Sequence, residues 1–89
     1  MQVLFKRSFL KNLAKLPNDI RQKIEYFVFE ELPKYDSIHQ VGNFEKMQGY
    51  DGYYKARFGL YRIGIKLENN NTIIIQTVMH RKEIYRYFP

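Results

Sequence analysis

The sequence predicts a small α+β domain in which two N-terminal helices pack on an antiparallel sheet of about four strands. The expected order is β-α-α-β-β-β with a short C-terminal helical turn. Three observations predict it. Apolar residues between Ser8 and Leu32 recur at helical spacing and are interrupted by Pro17 and Pro33. From Tyr53 onward the chain breaks into strand-like segments rich in β-branched and aromatic residues. Between two of these segments stands Gly59-Leu60, which fits a two-residue hairpin turn with glycine first.

Each element follows in order. Val3, Leu4 and Phe5 make Met1–Phe5 a first strand. Phe9, Leu10, Leu13, Ala14 and Leu16, separated by Lys11, Asn12 and Lys15, form a first helix that Ser8 can cap. Pro17 ends it and suits the first turn of a second helix. That helix carries Ile20, Ile24, Phe27, Val28 and Leu32 on one stripe, has Asp19 near its positive end, and stops at Pro33. A loop over 33–43 leads to a brief strand at Phe44–Met47, and Gly49-Tyr50-Asp51-Gly52 punctuates the chain. Tyr53–Phe58, Tyr61–Leu67 and Thr72–Met79 are the remaining strands, and His80–Pro89 closes with one helical turn.

With 89 residues, residues 1–89 make one domain with one modest core. No cysteine is present, which excludes a disulfide scaffold and a thiolate metal site, and His39 and His80 lie far apart. No metal or cofactor is expected. The longest aliphatic run, Ile73-Ile74-Ile75, falls far short of the ~20 residues of a membrane span. Nothing at Met1–Lys6 resembles a signal peptide, so a cytoplasmic protein without membrane contact is expected.

The net charge of +6 is unevenly placed. Residues 1–54 carry eight positive and seven negative groups, whereas residues 55–89 carry seven positive (Lys55, Arg57, Arg62, Lys66, Arg81, Lys82, Arg86) and two negative (Glu68, Glu83). A local positive field of this kind attracts polyanions, nucleic acid first among them. A two-residue turn at Gly59-Leu60 sets the hairpin register. Phe58–Tyr61, Ala56–Ile63 and Tyr54–Ile65 then face the core. The opposite face pairs Arg57 with Arg62, Lys55 with Gly64 and Tyr53 with Lys66. Like charges directly across a strand pair are destabilising. Either the side chains splay into water or pair with Glu45, Glu68 or Glu83, or the face is built to hold an anion. Gly64 opposite Lys55 would leave room for that ligand. The last strand ends near Val78 and Met79 beside Arg62, bringing His80, Arg81 and Lys82 to the same end of the sheet.

Guanidinium groups that grip phosphate oxygens in pairs suit a phosphodiester. Tyr53, Tyr85, Tyr87 and Phe88 offer rings for unpaired bases, Phe88 being the one expected to close the core, and Lys66 and Arg86 extend the basic surface. RNA supplies its own nucleophile, the 2′-hydroxyl. Its cleavage then needs a proton acceptor, cations for the charge on phosphorus, and a donor for the leaving 5′-oxygen. Lys55, whose arginine neighbours favour its neutral form, and His80 are rival bases. Arg57, Arg62 and Arg81 would stabilise charge, and Tyr85 or Lys82 would protonate the leaving group. His39 is a bystander.

Phe5-Lys6-Arg7-Ser8-Phe9, the two helices, Tyr54-Lys55-Ala56-Arg57, Gly59-Leu60-Tyr61-Arg62-Ile63 and His80-Arg81-Lys82-Glu83-Ile84-Tyr85-Arg86 together resemble the RelE/ParE toxin superfamily, RelE-like branch. The resemblance spans essentially the whole chain. It implies a toxin of a toxin–antitoxin pair that cleaves mRNA on the ribosome without a metal, and a cognate antitoxin that covers the site. By position Lys55, Arg57 and Arg62 match the family's basic hairpin residues, Arg57 standing where RelE itself has lysine. Arg81 or Lys82 matches the basic residue after the last strand, and Tyr85 or Tyr87 the C-terminal tyrosine. Two other readings are a gyrase poison of the ParE branch, whose members tend to lack this residue set, and a non-catalytic RNA-binding module.

Overall fold

A computed structural model describes all 89 residues. The strands are β1 (Gln2–Phe5), β2 (Phe44–Lys46), β3 (Tyr53–Phe58), β4 (Tyr61–Asn69) and β5 (Thr72–His80), and the helices are α1 (Arg7–Ala14), α2 (Asn18–Glu25) and the four-residue α3 (Ile84–Tyr87). They form one five-stranded sheet of order β1-β5-β4-β3-β2. The α+β class expected from the sequence is the class observed. β1, however, runs parallel to β5, with Val3 beside Ile73, while the other pairings are antiparallel. The helical pair between β1 and the rest of the sheet makes this possible, since a parallel pair needs a long crossover.

The helices cover one sheet face. Phe9, Leu13, Ile24, Phe27, Val28 and Leu32 meet Ala56, Ile63, Ile65, Ile73, Ile75 and Val78 in the main core. Burying a side chain of this size contributes about 1.5–3 kcal/mol each. Two local expectations change here. Ser8 lies inside α1, not at its cap, and its hydroxyl donates to the Gln76 carbonyl at 2.9 Å, tying the helix to β5. The second helix does not run regularly to Pro33; after Glu25 it widens into a π turn over Tyr26–Glu31 and tightens into a 3₁₀ turn over Leu32–Lys34. Pro33 cannot donate to the carbonyl four residues back and its ring would strike it, so a regular turn cannot continue there.

The hairpin has the register that its turn dictates: Phe58–Tyr61, Arg57–Arg62, Ala56–Ile63, Lys55–Gly64, Tyr54–Ile65 and Tyr53–Lys66. Gly59 has φ of 57° and Leu60 has no positive φ, the pattern of a type II′ turn. In β5 the register shifts around Gln76, which has no partner between Gly64–Thr77 and Ile65–Ile75. This bulge lets Val78 join Ile73 and Ile75 in the core and sets Met79 beside Arg62 and His80 beside Tyr61.

A second, smaller core lies on the opposite face, where Met47, Ile84 and Phe88 pack with Tyr53 and Met79. It holds α3 against the sheet. Phe88 is buried, as expected, but it occupies the space above Gly64. A Cβ at Gly64 would stand 2.8 Å from the Phe88 ring. The missing side chain therefore admits Phe88 and leaves no room there for a ligand. No helix is long and apolar enough to cross a membrane.

Candidate active site

The hairpin's outer face and the segment after β5 enclose a cleft of about 530 Å³. Its walls are Asn43, Glu45, Lys55, Arg57, Arg62, Arg81, Lys82 and Tyr85. Backbone geometry explains the convergence. Arg57 and Arg62 are direct partners across β3 and β4, and Lys55 lies two residues before Arg57 on the same face. The Arg81 N–H donates to the Leu60 carbonyl at 2.8 Å, which fastens the post-strand segment to the hairpin tip. The Glu83 N–H then bonds to the His80 carbonyl, turning the chain into α3 and bringing Tyr85 over Lys55.

The charges are mostly unpaired. The chain's three ion pairs are Lys46–Asp51, Lys55–Glu45 and Lys66–Glu68, so Arg57, Arg62, Arg81 and Lys82 have no carboxylate partner. Arg62 is held firmly: its Nη1 donates to the carbonyls of Gly59 at 2.8 Å and Tyr61 at 2.9 Å. These bonds use both Nη1 hydrogens and leave Nε and Nη2 free to grip an anion. Burial lowers the Arg62 pKa below the usual guanidinium value, and Arg57 and Arg81 lower it further against a smaller opposing pull from Glu45. Arg57, Arg62 and Arg81 are thus three crowded guanidinium groups. Relief of this crowding is measurable: Arg57→Gln should raise stability to urea by about 0.2–1 kcal/mol while weakening anion binding. An unchanged or lowered stability would show that the two arginines do not repel.

Lys55 differs from the arginines. Its Nζ lies 3.2 Å from Glu45 Oε2 and 4.3 Å from the centroid of the Tyr85 ring, and its side chain is only 15% exposed. Glu45 comes from β2, directly beside Lys55 in the β2–β3 register, and is 73% exposed. Of the three acids that could neutralise this region, Glu45 and Glu68 form pairs and Glu83 does not.

The structure brings together Lys55, Arg57, Arg62, Arg81, Lys82 and Tyr85 of the residues singled out in the sequence. It does not place His80 among them. His80 packs edge-on against Tyr61, 5.9 Å between ring centroids, and its Nδ1 accepts the Lys82 N–H at 3.2 Å. Strand alternation explains this, because His80 faces Tyr61 while Met79 faces Arg62. Tyr53 is no free stacking ring, since it packs edge-on against Phe88. Lys66 is paired with Glu68, and Tyr87 and Arg86 are exposed but do not line the cleft. His39 is exposed on its own 3₁₀ turn at Ile38–Gln40. Asn43, to which nothing in the sequence points, and Glu45, which the sequence offers only as a counter-ion, also stand in the cleft wall.

Known proteins share this arrangement of chain and fold. The family model described as the ParE toxin of the type II toxin–antitoxin system parDE matches residues 3–85. The chain is 43% identical over 90 residues to Toxin RelE3 of Methanocaldococcus jannaschii, covering 100% of both proteins. It superposes with a TM-score of 0.78 on a chain of the RelB–RelE antitoxin–toxin complex from Methanococcus jannaschii, at 42% identity over 97% of this chain and 99% of that one. The RelBE2 toxin–antitoxin complex of Mycobacterium tuberculosis gives a TM-score of 0.68 at 26% identity, over 90% of this chain and 96% of that one. With its fold, its cationic hairpin and these relatives in agreement, the chain belongs to the RelE/ParE superfamily of type II toxin–antitoxin toxins and is RelE-like.

Proposed function

We propose that this toxin is an endoribonuclease that cleaves mRNA on translating ribosomes by directing the RNA's own 2′-hydroxyl against the adjacent phosphate. The observation that carries the reading is the cleft in which Arg57, Arg62, Arg81 and Lys82 converge without carboxylate partners. A phosphodiester in the cleft would supply the missing negative charge. Arg62, anchored by the hairpin turn, and the exposed forks of Arg57 and Arg81 would stabilise the extra charge that phosphorus takes on as the 2′-oxygen adds. Preorganised cations of this kind act without reorganising at the moment of reaction.

The proton steps follow from the same walls. Lys55, paired with Glu45, would hold the phosphate, while the exposed Glu45 carboxylate can take the 2′-hydroxyl proton. The 2′-oxygen bonds to phosphorus and the bond to the 5′-oxygen breaks. That oxygen takes its proton from Lys82 or Tyr85 on the cleft rim. The products are a 2′,3′-cyclic phosphate and a 5′-hydroxyl. A cognate antitoxin is the expected partner, as in the complexes of the similar proteins, and an acidic segment of it would neutralise the cleft.

The matching family model carries the name ParE, so the test includes a gyrase arm. Purified toxin incubated with translating ribosomes should cut mRNA and leave cyclic-phosphate ends, while supercoiling by gyrase proceeds unchanged. Intact mRNA together with blocked supercoiling would assign the protein to the gyrase-poison branch.

A further inference from the structure

A second pocket, of about 470 Å³, adjoins the cleft and shares Glu45, Lys55 and Tyr85 as a common wall. Its remaining lining differs in kind. Met47 and Phe88 give it a buried apolar floor, Tyr50 adds an exposed ring, and Gln48 supplies an amide. Tyr50 is 53% exposed and Tyr85 is 67% exposed. Tyr50 sits in the turn between β2 and β3, bracketed by Gly49 at φ of 83° and Gly52 at φ of 80°. Only glycine adopts these angles without strain, so the two glycines set the path of the chain on either side of Tyr50. The turn thus presents a tyrosine at a defined place beside the cations.

We infer that this pocket is a nucleobase subsite, in which a base of single-stranded RNA stacks on Tyr50 while its phosphate lies in the adjoining cleft. The inference rests on the RNA-cleavage reading above. Three facts select a base as the occupant. The pocket shares the wall of Glu45, Lys55 and Tyr85 with the phosphate cleft, so a strand gripped at one site can lay its neighbouring nucleotide across that wall. The floor is apolar and the rim aromatic, as a base's two faces require. The Gln48 amide can both donate and accept, as base edges do.

The test uses short single-stranded RNA oligonucleotides, 2′-O-methylated throughout so that no hydroxyl can attack, with one abasic nucleotide moved along the strand. Binding to the free toxin is read by fluorescence anisotropy at several salt concentrations. Tyr50→Ala should weaken binding by roughly 5- to 100-fold, the range for loss of one base–aromatic stack, and Tyr50→Phe should bind like wild type. The salt dependence should be the same for Tyr50→Ala as for wild type, whereas Arg57→Gln should lower the slope by about 0.7 for its lost phosphate contact. One abasic position should weaken wild type by the Tyr50→Ala factor and leave Tyr50→Ala unaffected. Additive losses, or a Tyr50→Ala protein that binds intact RNA like wild type, overturn the subsite. Loss of antitoxin binding alone in Tyr50→Ala also overturns it and assigns the pocket to a protein partner. Wild-type toxin that binds none of the oligonucleotides, even when they are seated on ribosomes, sinks the RNA reading itself, a failure distinct from that of the pocket.

Discussion

Arg62→Ala should lower mRNA cleavage by about 10²- to 10³-fold, the loss typical of removing one preorganised donor from a transition-state charge. Arg62 earns this expectation by its anchoring. Its Nη1 is bonded to two carbonyls of the hairpin turn, so its remaining donors are held at one place before RNA arrives. Arg57 and Lys82 are exposed and make no such bonds, and their removal should cost less. The loss should fall mainly on kcat, because charge on the phosphate grows as the 2′-oxygen adds. Arg62→Lys keeps the charge but not the fork that the turn carbonyls hold, and should recover only part of the rate. The hairpin should remain folded, since the Gly59 and Tyr61 carbonyls can turn to water and Ala56, Ile63 and Ile65 remain buried beneath. A loss at Arg62 no greater than that of Lys82→Ala would show that anchoring confers nothing.

How far the sequence foretold the site depends on how local each cause is. Gly59-Leu60 dictates a two-residue turn, and from it every partner in β3 and β4 follows, including Arg57 beside Arg62. The return of β5 beside Arg62 was legible for the same reason, since an antiparallel strand after a short connection has one place to go. Three features were not. The Gln76 bulge places three residues of β5 against two of β4, so that Ile75 and Val78 both enter the core, and Ile73-Ile74-Ile75, apolar on both faces, does not announce that change of phase. Gly64 looked like space for a ligand, whereas Phe88, 24 positions later, fills it; nothing local to Gly64 announces that. The neighbours Arg81 and Lys82 make His80 a candidate base in the sequence. One step of strand alternation turns it toward Tyr61 and away from the cleft.

Glu45 was the least legible residue and carries the second large effect. Its place beside Lys55 depends on how β2 pairs across the Met47–Gly52 turn, which no two-residue signal sets. Glu45→Gln should lower cleavage by about 10²- to 10⁴-fold, the range for loss of a general base. The amide keeps the side chain's size and can still accept from Lys55, so neither the fold nor the cleft should change. Binding of uncleavable RNA should if anything tighten, because the substitution removes the cleft's one negative charge from beside an incoming phosphate. The opposing signs separate catalysis from simple electrostatics: a residue that merely neutralised Lys55 would, on removal, raise both affinity and rate. Glu45→Gln that binds more tightly and cuts faster would therefore return Glu45 to the role of a counter-ion and leave the proton to Lys55. Slower cutting with tighter binding is the result that the position of Glu45, exposed to substrate yet tethered at 3.2 Å to Lys55, leads one to expect.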